Sequence, residues 1–165
     1  MKHKLIKYLK EALLFILLMT IFANVLSIYR SGSLNKAPVE LKEIITIDNS
    51  VYEIPTNEPI LLHFWATWCP TCKAEAQNIE RISKSFNVLT IALKSGSDEE
   101  MREYLRSRDL TFKVLNDSDG QITQRYGVSI FPTTIIYDKD GNEAFSEVGY
   151  TTTIGLWLRM WIAGL

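Results

Sequence analysis

Apolar residues are distributed along this chain in two different ways. From Ala12 to Tyr29 they form an almost unbroken run, interrupted only by Thr20, Asn24 and Ser27, and beyond Val39 they come in short bursts separated by polar turns. The 18 residues of the first run would rise about 27 Å as a helix, close to the hydrocarbon thickness of a bilayer. The run therefore reads as a membrane segment or a signal peptide. Signal peptides have a shorter apolar region and a small-x-small cleavage site. Ala23-Asn24-Val25 and Val25-Leu26-Ser27 approximate such a site poorly, so an uncleaved anchor over 12–29 is expected. No cysteine lies near the end of the run, which excludes a lipoprotein anchor. Lys2, Lys4, Lys7 and Lys10 in the flank 1–11 outweigh Arg30 and Lys36 beyond the run. The positive-inside rule then leaves the N-terminus in the cytoplasm and exports the rest.

A polar linker with turn-forming residues follows over 30–38. Its eight or so residues reach at most about 25–30 Å, so a domain over 39–165 would work close to the membrane. That domain opens with two short strands, Glu43–Ile47 and Val51–Ile54, around a turn at Asp48-Asn49-Ser50. Ile60–Trp65 is aliphatic and aromatic apart from His63 and has the length of a buried strand. A helix from Pro70 to about Phe86 places Ala76, Ile79, Ile82 and Phe86 on one face. Val88–Leu93 is a second buried strand, and Ser97 before three acids caps a helix to about Arg108. Thr111–Leu115 is a strand, Asn116–Gly120 a turn, and Gln121–Tyr126 a short helix closed by Gly127. Thr133–Tyr137 and Glu143–Val148 pair through the Asp-Gly-containing turn 138–142. The last helix, Thr152–Ala163, is more apolar than one buried face requires, and its Trp157 and Trp161 are most simply expected to cover the sheet, contact with the bilayer interface being the lesser alternative.

Composition alters this picture little. The 165 residues suit one domain plus an appendage, and a net charge of −1 offers no electrostatic footprint for nucleic acid. The two cysteines exclude a disulfide scaffold, because both fall in Cys69-Pro70-Thr71-Cys72. There the buried strand gives way to a helix, with Pro70 in its first turn. Cys69 sits at the helix N-terminus, where unpaired N–H groups and the helix dipole favour thiolate over thiol. Cys72, one turn further in, is shielded and suits a resolving thiol. So small a loop restrains the unfolded chain little, so the pair reads as a cycling dithiol rather than a cross-link.

Phe64-Trp65-Ala66-Thr67-Trp68-Cys69-Pro70-Thr71-Cys72-Lys73-Ala74-Glu75 resembles the active site of the thioredoxin superfamily. The CxxC with both tryptophans and a glutamate three residues on is similar to its membrane-anchored bacterial branch, the TlpA/ResA/CcmG-like thiol-disulfide oxidoreductases. The C-terminal stretch from Gly155 is also similar to the ScsD-like subgroup linked to copper-stress tolerance. The resemblance covers about 39–165 and implies a thioredoxin fold: a central mixed β-sheet flanked by helices, with an N-terminal β-hairpin extension. It implies a bacterial inner-membrane protein, single-pass, with its catalytic domain in the periplasm. Its electron donor would be a membrane thiol transporter of the DsbD/CcdA type. Its clients would be extracytoplasmic protein disulfides, and it would need no cofactor beyond the Cys69–Cys72 pair.

The resemblance also assigns residues. Pro132 would be the family's cis-proline and would meet substrate together with Trp68, Pro70 and Phe131, the last standing where the branch often has Thr. Trp65 would pack beneath the active-site loop. Glu75 reads either as a solvated acid near a helix start or as the branch's acid that tunes thiol ionisation. His63 stands where thioredoxins hold a buried acid beneath the resolving cysteine. It is either a hydrogen-bonded core residue or an acceptor for the Cys72 proton, for which an ordinary imidazole pKa of about 6.5 is suited. Two further functions stay open: disulfide donation from the same site, and a module in which the thiols hold Cu(I) or Zn²⁺.

Overall fold

The computed structural model of the protein describes residues 2–32, 34, 41 and 43–165. Most of the linker expected over 30–38, and the start of the domain at Val39, lie outside them. The first helix, α1 (Lys2–Ser31), begins within the basic flank and contains the whole apolar run. Its stretch Tyr8–Ser27 is 20 residues long and apolar enough to cross a membrane. Leu13, Leu14, Phe15 and Leu17 all face outward, where a protein core would have buried them.

Two short strands, β1 (Glu43–Ile45) and β2 (Val51–Glu53), pair antiparallel with Ile44 opposite Tyr52. Asp48 accepts hydrogen bonds from Ser50 and Thr46 in the turn, and Asn49 takes a left-handed φ of 60°, a conformation Asn tolerates better than most residues. The remaining elements are β3 (Ile60–Trp65), α2 (Pro70–Ser83), β4 (Asn87–Leu93), α3 (Asp98–Arg106), β5 (Lys113–Asp117), α4 (Gln121–Arg125), β6 (Thr133–Tyr137), β7 (Glu143–Val148) and α5 (Thr153–Ala163).

The five main strands form a mixed sheet in the order β5-β4-β3-β6-β7, with β3, β4 and β5 parallel and β6 and β7 antiparallel to their neighbours. Every residue of β3 is buried, which explains its lack of apolar/polar alternation. Leu61 and Trp65 face a core shared with α2, α3 and α5, whereas Leu62 and Phe64 face Tyr126, Val128 and the β1–β2 hairpin. Each such side chain contributes about 1.5–3 kcal/mol by leaving water. The mixed sheet, flanking helices and hairpin extension are those expected.

Three local differences from the sequence reading have identifiable causes. Helix α2 ends at Ser83 rather than near Phe86, because Ile82 O accepts from both Ser85 N and Phe86 N and closes the last turn. Strand β5 starts two residues late, since the N–H groups of Thr111 and Phe112 are taken by the buried Glu80 carboxylate. It also runs two residues further, because Asn116 and Asp117 pair with Ala92 and Leu93, and Asp117 then caps α4 through Ile122 N and Thr123 N. The expectation for Trp157 and Trp161 is corrected. Leu156, Met160 and Ala163 fill the inward face of α5, and the two tryptophans stay 49% and 52% exposed.

Candidate active site

The β3–α2 junction places both cysteines. Cys69 is the N-cap of α2, with extended backbone (φ −86°, ψ 115°), and Pro70 occupies the first turn. Cys69 N donates to Ala66 O at 3.2 Å and Lys73 N to Cys69 O at 3.1 Å, so the strand passes directly into the helix. Cys72 N donates to Cys69 Sγ at 3.2 Å. The cysteines form a disulfide with Cα atoms 5.3 Å apart, and both are buried, Cys72 the more deeply. On reduction, Cys69 Sγ is the sulfur aimed at the free N–H groups and positive end of α2, the setting that favours thiolate.

Around the disulfide, Trp68 is exposed and meets Phe131 edge-on with ring centroids 6.0 Å apart. This contact brings the segment before β6 beside the CxxC. The Phe131–Pro132 peptide bond is cis, Pro132 is buried, and Pro132 O accepts from Gly149 N at 2.8 Å. Trp65 packs below the loop against Tyr104 and Phe112. Thr67 is tied to Ser95 by two hydrogen bonds, joining this loop to the one before α3.

His63 and Glu75 both lie on the α2 side of the sheet. His63 is 2% exposed and its Nδ1 lies 2.9 Å from Thr134 Oγ1. Burial lowers its pKa to about 3, so the basicity of an ordinary imidazole is absent here. The register places Thr90, His63, Thr134 and Glu147 side by side on successive strands, a polar row within the apolar face. Glu75 is fully buried one turn beyond Cys72, and its Oε1 accepts from Thr151 N at 2.9 Å. Its Oε2 has no hydrogen-bond partner among the described residues. Burial raises its pKa to about 8, with the Thr151 N–H opposing and the charge of Glu147 adding to the rise. Of the two readings of Glu75, the solvated acid is ruled out.

Thr134, Glu147, Thr151 and Asn78 were not singled out from the sequence. Asn78 donates to Tyr150 OH and Thr151 O and accepts from Thr153 Oγ1, which stitches α2 to the approach to α5. Only the strand register reveals that Thr134 lies opposite His63. The one hint in the sequence was a pair of threonines in an otherwise apolar strand.

This fold and this helix-capping cysteine pair are those of a thioredoxin-fold thiol-disulfide oxidoreductase. Residues 36–143 match the AhpC/TSA family, and the chain belongs to it. A "Thioredoxin-like protein" of Haemophilus influenzae is 29% identical over 166 residues, covering 97% of each chain. The "Thiol-disulfide oxidoreductase ResA" of Oceanobacillus iheyensis is 31% identical over 123 residues, covering 69% of this chain and 62% of its own. The crystal structure of StoA from Bacillus subtilis superposes with a TM-score of 0.65 at 24% identity, covering 78% of this chain and 99% of its own, and supports the fold.

Proposed function

We propose that this protein is a membrane-anchored reductase of extracytoplasmic protein disulfides, held by α1 in a bacterial inner membrane with its catalytic domain in the periplasm. The observation that carries the chemistry is the position of Cys69, whose sulfur caps α2 and accepts Cys72 N–H. The lysines at the start of α1, ahead of its apolar run, support the orientation.

In this reading the Cys69 thiolate attacks a client disulfide, forming a mixed disulfide and releasing one client thiolate. The Cys72 thiol then loses its proton and attacks Cys69 Sγ. The second client thiol leaves, and the Cys69–Cys72 disulfide remains. Two electrons pass from the pair to the client, with no cofactor beyond the two sulfurs. A carboxyl with a pKa of about 8 is close to that of a free thiol, about 8.5, so Glu75 is well matched to take and return the Cys72 proton. A His63 imidazole with a pKa of about 3 is not, and its role is to hold Thr134. Trp68, Pro70 and Phe131 form the surface that a client strand meets, next to the buried Pro132. The oxidised pair is re-reduced by a membrane thiol transporter of the DsbD/CcdA type.

The test is the reduction potential of the pair, measured against glutathione or dithiothreitol buffers. A value near or below about −220 mV places it with the reductants, whereas about −120 mV would make the protein a disulfide donor.

A further inference from the structure

Helix α5 carries an apolar stripe that the fold does not use. Ile154, Trp157, Leu158, Trp161 and Ile162 are spaced by three and four and are all exposed, Ile154 to 80%. At 3.6 residues per turn they occupy an arc of roughly 140°, opposite Leu156, Met160 and Ala163, which face the sheet. The only charged residue of the helix, Arg159, lies on the flank and pairs with Glu147 at 2.6 Å. Trp157 meets another aromatic, Phe86, only edge-on, with centroids 6.5 Å apart. A contiguous apolar patch on an exopolar surface marks an interaction site.

The position of α1 indicates what covers the stripe. Ser27, the last residue of the membrane-length stretch, donates to Glu147 Oε2 at 3.0 Å and accepts from Val148 N at 2.9 Å. The other oxygen of Glu147 holds Arg159, so two side chains join the end of the span to α5. Thr20 and Leu26 of α1 wall one groove together with Gly155 and Arg159 of α5. Thr20 lies seven residues before Ser27, about 10 Å back along the helix. The start of α5 is thus level with the outer part of the span. Tryptophan is enriched at that level of a bilayer, and interfacial helices bury their apolar face about 5–10 Å into it.

We propose that the outer stripe of α5 lies in the lipid interface of the bilayer that α1 spans, seating the catalytic domain on the membrane surface. This rests on the reading of α1 as an anchor. Because α5 is bonded to α2 through Thr153 and Asn78, a seated α5 holds Cys69 at a fixed height above the lipid. A membrane-embedded redox partner would find it there.

The test uses the full-length protein in phosphatidylcholine vesicles, with ordinary or dibrominated acyl chains. Brominated lipid should quench part of the wild-type tryptophan emission. The variant Trp157→Phe/Trp161→Phe, which keeps Trp65 and Trp68, should lose that quenched component. The single variants, each retaining one α5 reporter, replace the double variant if it does not fold. Protein that floats with the vesicles after an alkaline wash but shows no bromolipid quenching overturns the proposal and leaves the anchor standing. Shielding of the two tryptophans from acrylamide without bromolipid quenching also overturns it, in favour of a second copy or another protein on the stripe. Protein that does not float overturns both readings.

Discussion

Replacing Glu75 by Gln isolates the most perturbed acid of the site. In the folded protein burial raises this carboxyl from 4.5 to about 8, while in the unfolded chain it ionises normally. Between those values the folded state keeps a proton that the unfolded state has released. The raised pKa therefore favours folding fully below about pH 4.5, and that contribution is lost as pH rises towards 8. The amide has no such dependence. At about 1.4 kcal/mol per unit, Glu75→Gln should gain on the wild type by about 3–4 kcal/mol between pH 5 and pH 8. With urea m-values of about 1–3 kcal/mol/M, the gap between unfolding midpoints should widen by roughly 1–3 M. The assay is urea denaturation of both oxidised proteins in mild detergent at several pH values, since a disulfide removes the cysteines from the titration. A gap that stays constant from pH 5 to pH 8 would refute the reasoning, because Glu75 would then ionise freely in the fold.

Other predictions follow from the same geometry. His63 has the opposite sign: its pKa falls from 6.5 to about 3 on burial, so the wild type should lose stability as pH drops through that interval. His63→Gln should not show this acid loss, and denaturation at pH 4 and pH 6 compares them. In kinetics, Glu75→Gln should slow the resolving step and flatten its pH dependence near 8. A variant at His63 that leaves that profile in place would support the assignment of the proton to Glu75, and one that abolishes it would reverse the assignment. Cys72→Ser should accumulate a mixed disulfide with client, visible on non-reducing gels, whereas Cys69→Ser should form none. Glu80 receives the N–H groups of Thr111 and Phe112 and the hydroxyl of Thr111, so Glu80→Ala should cost about 2–4 kcal/mol, read by thermal or urea unfolding.

Much of the architecture was legible because it rests on local rules. The run Ile60–Trp65 followed by Cys69 and Pro70 marks a strand, a cap and a first helical turn, and the structure has each of them there. The Ser97–Glu100 capping box likewise starts α3 where expected. Element ends were less legible wherever a distant group competed for the backbone, as Glu80 does ahead of β5 and Asp117 at its end. The apolar excess of α5 was visible in the sequence, but which of its residues turned inward was not.

The chain's own order thus determined the dithiol, its place at a helix N-terminus and the presence of an apolar helix long enough to span a bilayer, because each depends on neighbours within a few residues. Tertiary structure decided the electrostatics. Glu75 and His63 are an ordinary acid and an ordinary base until the packing of α2, α5 and the sheet removes water from both, and then burial drives their pKa values in opposite directions. The partners that hold them, Thr151 and Thr134, lie 76 and 71 residues away in sequence, and only strand register and helix packing bring them within hydrogen-bonding distance.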